Sequence, residues 1–350
     1  MLFFSWKRDD WVNSFFTTEP THPSGTYYHY DTSGTFILNV IVERLTGKPF
    51  LDYLYEKLLG KTGFSEGTWC VNSPDGYSWG GSGVQCTTLD LARLGQIYLD
   101  LGNVHGEQLL SEAWCRDAIA RHVDNNFNGH MTLLAGHGYG YKIWRAARDC
   151  FAFLGMGGQL MIACPKYNVL MAATSDEQGN GTGYHLLAEA FYRFVLDNLD
   201  EFGAEPKPEN PAALADLRDY TANLTCPLTF LGERDSAFSP EVFGRTYVMR
   251  ENPMQIEWFR LEKTENGGKF VFFARGEEKT IPFGFGEYEI APFPETCYWG
   301  RTMRTPSGKG YRTMSAGLWT EEKKFVVRSY LIDDYFGNLT TTFAFKGEEC

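Results

Sequence analysis

The sequence contains no long run of apolar residues. None approaches the roughly 20 residues that a helix needs to cross a bilayer, so no membrane-spanning helix is expected. The first ten residues also lack the order of a signal peptide, because Lys7 and Arg8 follow a short apolar run instead of preceding a longer one. The chain as written is therefore expected to be cytoplasmic, and any upstream signal lies outside this sequence.

Positive charge is scarce relative to negative charge. The chain has 32 Lys and Arg residues against 44 Asp and Glu residues, which gives a formal net charge of -12. A surface with this excess of acid repels phosphate backbones and anionic lipid headgroups. Nucleic acid and membrane surfaces are therefore not expected as partners, and the oligomeric state stays open.

The eight cysteines do not form a recognisable motif. No pair has the Cys-x-x-Cys spacing, and no cluster of Cys and His has the spacing of a zinc site. Several of them, such as Cys115 and Cys164, lie in apolar stretches, where a free thiol behaves as a small buried hydrophobe. We therefore expect free thiols in a reducing compartment rather than a disulfide framework, and no metal site.

The length of the chain and its changing residue pattern indicate two domains. With 350 residues, 43% of them hydrophobic, it can bury one large core or two smaller ones. Residues 1–200 mix helical and strand periodicity, residues 201–214 are rich in proline and charge and indicate a linker, and residues 215–350 alternate apolar and polar side chains. The sequence predicts an α+β fold: a helix-bearing domain followed by a separate antiparallel β domain, sandwich or barrel-like.

Local patterns support this division. Apolar residues from Phe36 to Leu45 predict a helix that ends at Gly47, and Asp90 to Leu99 predict another with Asp90 as its N-cap. Short strand-like runs joined by short loops predict an antiparallel meander over residues 139–144, 151–154, 160–164 and 169–174. In the second domain, Asn266-Gly-Gly268 between two alternating runs predicts a β-hairpin.

Four motifs follow one another in a recognisable order. The first opens a mostly apolar helix with Tyr28-His-Tyr-Asp-Thr-Ser. The others are Trp79-Gly-Gly-Ser-Gly83, Gly138-Tyr-Gly-Tyr141 and Gly155-Met-Gly-Gly-Gln159. Together they resemble the serine beta-lactamase and penicillin-binding-protein-like family, in particular its class C and esterase branch. The resemblance implies a partial beta-lactamase-like antiparallel sheet with helices, and the second domain resembles the β domain appended to many bacterial members.

The resemblance places Tyr30 at the family's general base position. A tyrosine hydroxyl is a poor base at its usual pKa of about 10, and it becomes useful when a lysine ammonium nearby favours the phenolate. Thr32 then stands in the third position of the family's tyrosine motif, which implies a role in substrate binding. The alternative is that Tyr30 is an ordinary aromatic residue at the start of a helix.

The glycine-rich segment is implied to bind substrate. Gly155, Gly157, Gly158 and Gln159 correspond to the turn beside the family's active site, where glycines let a substrate approach the backbone closely. The family's lysine is replaced there, with Phe153 in its position, which points to esters or amides rather than beta-lactams. The alternative is a structural Gly-rich hairpin. A literal Lys61-Thr-Gly63 triplet is interpreted as a turn that ends a helix.

The sequence contains no nucleophile of the type that the resemblance implies. The family uses the serine of a Ser-x-x-Lys turn, and no serine in this chain is followed three residues later by lysine. The expectation is a serine hydrolase that acts on a small-molecule ester or amide through an acyl-enzyme, without a cofactor. This chain would be an N-terminally incomplete part of it and inactive as given. The alternative is a non-catalytic binding module whose β domain provides recognition.

Overall fold

A computed structural model of the chain contains two compact units, Met1–Glu205 and Pro206–Cys350. The structure describes residues 10–126, 129, 131–155, 157–175, 183–199, 208–294, 297–298, 301–302, 310–332 and 336–346. Within these residues, no helix is both long enough and apolar enough to cross a membrane.

Helices form most of the first half of unit 1. Asp31 caps the longest of them by accepting hydrogen bonds from the backbone of Ser33 and Gly34, and Gly47 ends it in the left-handed conformation. The predicted helix is therefore confirmed and begins four residues earlier than its apolar pattern. The helices of unit 1 are α1 (Trp11–Phe16), α2 (Thr32–Thr46), α3 (Phe50–Lys57), α4 (Thr88–Leu99), α5 (Glu112–Ala118) and α6 (Gly183–Phe194).

The start of α4 differs from the prediction. Thr87, not Asp90, is the N-cap, and its hydroxyl accepts a hydrogen bond from the Asp90 backbone N–H. In return, the Asp90 carboxylate accepts a hydrogen bond from the Thr87 N–H, which completes a capping box. The prediction of Asp90 as N-cap was wrong by three residues, because a Thr-x-x-Asp pattern carries its carboxylate at the third helical position.

A four-stranded antiparallel sheet completes unit 1, and its strands β5 (Trp144–Arg145), β6 (Phe151–Leu154), β7 (Leu160–Cys164) and β8 (Val169–Ala173) are neighbours in that order. The predicted strand over residues 139–144 is shorter than expected, because Lys142 has a φ of 60° and interrupts the extended backbone. Three of the four predicted meander strands are confirmed almost to the residue. In chain order the strands of unit 1 are β1 (Trp69–Cys70), β2 (Val84–Gln85), β3 (Asn103–Val104), β4 (Glu107–Gln108), β5 (Trp144–Arg145), β6 (Phe151–Leu154), β7 (Leu160–Cys164) and β8 (Val169–Ala173).

The two faces of this sheet bury different sets of side chains. Phe151 and Met161 pack on one face with Leu99 of α4. On the other face, Leu160 and Ile162 pack with Phe191 and other residues of α6. This alternation along β6 and β7 places the sheet between α4 and α6, so both faces are covered.

A disulfide corrects the expectation of free thiols. Cys150 directly precedes β6, and Cys164 ends β7, so the antiparallel register sets the two opposite each other with Cα atoms 4.3 Å apart. Both are buried and bonded to each other. The free-thiol expectation was therefore wrong for this pair. Among the described residues it is borne out for Cys70, Cys86, Cys115 and Cys226.

Unit 2 begins with a helix whose first turn lies in the predicted linker and whose remainder covers residues 213–220, where the sequence pattern predicts a short helix. Residues 211–214 form the first turn of α7 (Pro211–Ala222), because Asn210 caps its N-terminus and Pro211 has the backbone angle that a first helical position needs. A short helix, α8 (Ser239–Val242), follows. The strands are β9 (Thr246–Val248), β10 (Ile256–Lys263), β11 (Gly267–Ala274), β12 (Glu277–Gly284), β13 (Glu289–Pro292), β14 (Cys297–Tyr298), β15 (Arg301–Thr302), β16 (Arg312–Glu321), β17 (Lys324–Ile332) and β18 (Phe336–Ala344).

The large sheet of unit 2 is curled around an aromatic core. Its strands follow the order β18-β17-β16-β12-β11-β10-β9, with β13 paired to β16, and all pairs except the single bridge between β12 and β16 are antiparallel. Phe343 on β18 lies 5.1 Å from Phe259 on β10, measured between ring centroids, although these strands are far apart in the sheet order. The predicted α+β fold with a separate, barrel-like antiparallel β domain is confirmed.

Candidate functional site

Tyr30 lies directly before the N-cap of α2, in a cluster of aromatic side chains. Its ring stacks on Trp144 at 5.9 Å between centroids with an interplanar angle of 17°. Tyr139 contacts it edge-on at 6.4 Å, and Tyr28 packs against Tyr139 at 5.0 Å. Tyr30 nevertheless keeps 43% of its surface exposed. Trp144 therefore holds one face of the ring, while part of the residue remains open to solvent.

Lys142 is a second feature of this site, and sequence analysis missed it. Its ammonium lies 4.5 Å from the centroid of the Tyr30 ring and donates a hydrogen bond of 3.0 Å to the Asp31 carbonyl oxygen. The left-handed backbone at Lys142 brings the side chain back toward α2. No motif in the sequence marks this residue, because it reads as one position of a strand.

Electrostatics at the site favour neutral groups. Partial burial raises the pKa of the Tyr30 phenol. Burial lowers the pKa of the Lys142 ammonium, and the negative charge of Asp31 opposes that shift. Burial, with a contribution from Tyr30, raises the pKa of Tyr28 to about 12. The Lys142 ammonium lies over the Tyr30 ring, and no described side chain hydrogen-bonds the Tyr30 hydroxyl. No described group is therefore placed to stabilise the phenolate form of Tyr30.

Tyr139 occupies the buried side of the cluster. Only 6% of its surface is exposed, and its hydroxyl has no hydrogen-bond partner among the described residues. Burial raises the pKa of this phenol strongly, and the neighbouring Tyr28 and Tyr30 raise it further. The Tyr139 hydroxyl is therefore neutral and keeps its capacity to donate a hydrogen bond.

The Trp79–Gly83 loop packs against the first half of α2. A Cβ atom on Gly81 would lie 2.8 Å from the Thr32 carbonyl oxygen and Cγ2, and one on Gly80 would lie 2.6 Å from the Asn39 Cβ. Asn39 also donates a hydrogen bond of 2.8 Å to the Ser78 carbonyl oxygen. Thr32 therefore turns its methyl group toward this loop. The glycines are needed because larger residues would push the loop away from the Tyr30 end of α2.

The Gly155–Gln159 segment forms the turn between β6 and β7. Its ends are joined by a hydrogen bond of 2.7 Å from the Gly155 N–H to the Gln159 carbonyl, and the Gly158 N–H donates to the Gly155 carbonyl. The Gln159 side chain lies close to the backbone of Gly155 and Gly157 and donates a hydrogen bond to the Ser175 carbonyl. Met156 lies outside the described residues.

The register of the sheet relates this turn to the Tyr30 cluster. Trp144 pairs with Ala152, and Gly155 lies three residues further along, or about 10 Å at the usual rise of a strand. Because β5 and β6 are antiparallel, Lys142, which lies two residues before Trp144, is at this same end of the sheet. The turn and Tyr30 therefore lie toward one end of the sheet, without a described hydrogen bond between them. Phe153, the proposed replacement of the family's lysine, packs against Tyr98 of α4.

Other motif residues lie away from this cluster. The Lys61-Thr-Gly63 triplet belongs to a short 3-10 turn, Leu59–Thr62, which ends at Gly63, so its interpretation as a structural turn is confirmed. His137 binds the Thr132 carbonyl oxygen through its Nε2 atom at 2.8 Å. Within the described residues, no group of three or more His, Cys, Asp or Glu side chains is arranged to hold a metal ion.

Comparison with known proteins identifies relatives of unit 1. The family model described as Beta-lactamase matches residues 3–190, which is more than half of the chain. A 6-aminohexanoate-dimer hydrolase of Paenarthrobacter ureafaciens is 31% identical over 93 residues. That match covers 27% of this chain and 24% of the hydrolase, so the chain spans about a quarter of the length of this curated relative.

Two solved structures are similar to this chain at lower identity. A protein of Bacillus anthracis assigned as a 6-aminohexanoate-dimer hydrolase is 21% identical, with a TM-score of 0.44 over 53% of this chain and 48% of that one. A beta-lactamase of Mycobacterium bovis is 20% identical, with a TM-score of 0.37 over 49% of this chain and 65% of that one.

Proposed function

The chain belongs to the beta-lactamase family, and from this premise we propose that unit 1 contributes the tyrosine and the glycine-rich turn of a serine hydrolase site. The substrate is a small ester or amide, and the reaction passes through an acyl-enzyme. One observation supports this most directly. Tyr30 stands at the start of α2 with one ring face held by Trp144 and 43% of its surface exposed, at the end of the sheet where the glycine-rich turn lies.

Each group has a proposed chemical role. A serine attacks the substrate carbonyl and forms the acyl-enzyme, which water then cleaves. Tyr30 accepts the serine proton and later passes it to the leaving group. The N–H groups of Gly155 and Gly158 already donate within their turn. The N–H groups of Gly157 and Gln159 are therefore our candidates for stabilising the oxyanion, with Thr32 beside the substrate.

In this proposal the serine belongs to a Ser-x-x-Lys turn, which these 350 residues do not contain. No Ser-x-x-Lys is present, and the pKa of Tyr30 is shifted upward, which opposes its action as a base. In the family this lysine is the cation that lowers the cost of the phenolate. We therefore propose that the chain by itself binds substrate but does not turn it over.

Labelling with a fluorophosphonate probe tests the claim about the nucleophile. The probe forms a covalent adduct with an activated serine, so this chain should show no labelling above that of its heat-denatured control. Release of p-nitrophenol from p-nitrophenyl acetate should likewise show no burst. Stoichiometric labelling of one serine, located by peptide mass spectrometry, would overturn the proposal that the chain lacks a nucleophile.

Calorimetric titration tests the proposed substrate site independently of catalysis. The name of the P. ureafaciens relative suggests a linear amide, so the ligand is the 6-aminohexanoate dimer. Gly157→Val should weaken binding strongly, because its Cβ would lie 3.1 Å from the Gln159 side-chain amide and displace it. Tyr30→Phe should weaken binding by only a few-fold, since it removes one hydroxyl. The control is Tyr220→Phe, on an exposed residue of α7.

A non-catalytic binding module is the second candidate. The observation in its favour is the same absence of Ser-x-x-Lys, together with a second compact unit of β-strands that could provide recognition. Both candidates predict binding without turnover, but at different places. If Tyr30→Phe and Gly157→Val leave the affinity unchanged while substitutions on the β unit reduce it, the binding-module reading replaces the hydrolase-site reading.

A further inference from the structure

Unit 1 contains a cavity whose charged lining is dominated by arginine. Its volume is about 580 Å³, within the range of small-molecule sites. The lining residues include Arg116, Arg121, Arg145 and Arg148, with Asp149 as the acidic residue among them. In a chain with a net charge of -12, this concentration of guanidinium groups is opposite in sign to the molecule as a whole. Four guanidinium groups therefore border one cavity, each with a carboxylate within ion-pair distance.

Arg145 is the most enclosed of these cations. Its side chain is 16% exposed, and its guanidinium is held by the carbonyl oxygens of Ile119 at 3.2 Å and Asp149 at 3.1 Å. The nearest carboxylate, that of Asp149, is 3.4 Å away and fully exposed. Backbone carbonyls fix the orientation of the guanidinium but do not neutralise its charge. A largely desolvated cation with only a solvated counter-ion is stabilised by a further anion.

The other three arginines have partners that compete weakly with a ligand. Arg116 pairs with Glu112, Arg121 with Asp124 and Arg148 with Asp197, all through exposed carboxylates. Exposed ion pairs are close to neutral in free energy, because water already solvates both charges. These arginines can therefore turn toward an anion in the cavity without a large loss elsewhere.

The backbone at the edge of the cavity is held in an uncommon conformation. Arg148 and Asp149 both have φ values of 57°, in the left-handed region that residues with side chains seldom occupy. Two such residues in succession are costly unless the surroundings hold them there. The conformation orders the short segment between β5 and β6 so that Arg148 borders the cavity together with Arg145.

We propose that this arginine-lined cavity binds a small organic anion through its carboxylate or phosphate group. A guanidinium donates two parallel hydrogen bonds to either group, which a lysine cannot do. The volume exceeds what a single inorganic ion fills, so the ligand is a small molecule with at least one such group at the Arg145 end. Arg145 follows Trp144 on β5, and side chains alternate along a strand. The cavity therefore lies on the opposite face of β5 from the Tyr30 ring.

Calorimetric titration of the full chain with pyrophosphate and with citrate tests the site and distinguishes the two chemistries. At least one of the two should bind saturably, with one site per chain and a dissociation constant below about 1 mM. Tighter binding of pyrophosphate assigns a phosphate ligand, and tighter binding of citrate assigns a carboxylate. Absence of saturable binding by both anions, at a buffer chloride concentration low enough not to compete, overturns the proposal.

Substitutions then locate the binding. Arg145→Gln and Arg148→Gln should each weaken it about tenfold, which corresponds to the loss of one charged hydrogen-bonding partner. Asp149→Asn should tighten it severalfold, because it removes the competing carboxylate. Arg218→Gln, on an exposed residue of α7, is the matched control and should leave the affinity unchanged.

Each outcome of these substitutions supports or refutes the proposed anion site. Arg145 also holds two backbone carbonyls, so Arg145→Gln is interpreted only if its thermal unfolding stays cooperative. The Arg148 side chain holds no backbone carbonyl, so Arg148→Gln provides the test if Arg145→Gln fails to fold. Equal weakening by Arg148→Gln and Arg218→Gln would mean that the anion responds to overall charge, and the proposal would be refuted.

Discussion

Replacing Asp90 should destabilise unit 1 more than any substitution of an exposed acid. Its side chain has no exposed surface. It accepts hydrogen bonds from the backbone N–H of Ser65 at 2.9 Å and of Thr87 at 3.0 Å, from the Thr87 hydroxyl at 2.7 Å, and from Arg93 at 3.0 Å. One carboxylate therefore completes the capping box of α4 and ties the segment after α3 to this helix.

The magnitude follows from what the substitution leaves behind. Asp90→Ala removes the acceptor of two N–H groups and a hydroxyl whose hydrogen bonds are part-buried, and a fully buried group left without a partner would cost about 1–3 kcal/mol. Thr87 is exposed and Arg93 is partly exposed, so both can turn to water and their loss adds little. We expect a total of about 2–3 kcal/mol. Asp90→Asn keeps the shape and one acceptor oxygen, so it should cost about half as much.

Hydrogen exchange over α4 is the suitable assay, because two compact units need not unfold as one transition. Protection of amides in Thr88–Leu99 should fall in Asp90→Ala, and the urea midpoint of unit 1 should fall with it. The control is Asp100→Ala at the other end of the same helix, where an exposed acid should cost less than about 0.5 kcal/mol. Equal losses in the two variants would refute the assignment of the stability to the buried network.

The pH dependence gives a second, independent check on Asp90. Burial raises the pKa of this carboxyl, but the hydrogen bonds from Thr87, Ser65 and Arg93 outweigh it, and the pKa lies below its usual value. A group with a depressed folded-state pKa stabilises the fold fully above its unfolded value of about 3.9. That stabilisation is lost as the pH falls through the folded value. Asp90→Asn should remove this part of the acid sensitivity, and an unchanged acid profile would contradict it.

Three further substitutions test close packing, a buried polar pair and the contact of Lys142. Gly80→Ala should cost about 1–3 kcal/mol by overpacking against Asn39, whereas Gly67→Ala, with nothing closer than 3.6 Å, should be nearly neutral in urea unfolding. Ser329→Ala should cost about 1–2 kcal/mol by stranding its buried partner Ser315, and the double alanine variant should recover most of it. Lys142→Met should lower protection at the start of α2 by about 1 kcal/mol, measured by hydrogen exchange, through loss of its bond to Asp31 and its ring contact.

Elements specified by neighbouring residues could be predicted from the sequence. Asp31, an apolar stripe and Gly47 are enough to define α2, since cap, face and end are all local. The hairpin of β10 and β11 follows in the same way from its Asn-Gly-Gly turn, although β11 begins at Gly267, inside the predicted turn. The start of α7 in a Pro-rich segment was harder to predict. Asn210-Pro211 opens α7 within the predicted linker, because proline suits the first turn of a helix as well as a loop.

Features that depend on distant pairs could not be predicted. The Cys150–Cys164 bond depends on the exact register of β6 and β7, and the spacing of 14 residues does not reveal it. The arginine-lined cavity draws on α5 and on the loops around β5, which meet only in the folded chain. In the candidate site, Tyr30 was found through its motif, whereas Lys142 was not. Its left-handed backbone conformation in a strand-like run has no sequence signature.

In the proposed function, the pKa directions at Tyr30 explain why the chain by itself does not turn substrate over. Proton transfer from a serine to Tyr30 needs a phenolate, or a cation that shares its proton at the hydroxyl. Burial disfavours charge on both members of the pair present, the Tyr30 phenol and the Lys142 ammonium, and the ammonium is committed to the Asp31 carbonyl. Lys142 therefore holds the ring in place without activating it. A lysine placed at the hydroxyl by a Ser-x-x-Lys turn would supply the missing cation together with the nucleophile, so one segment accounts for both deficits.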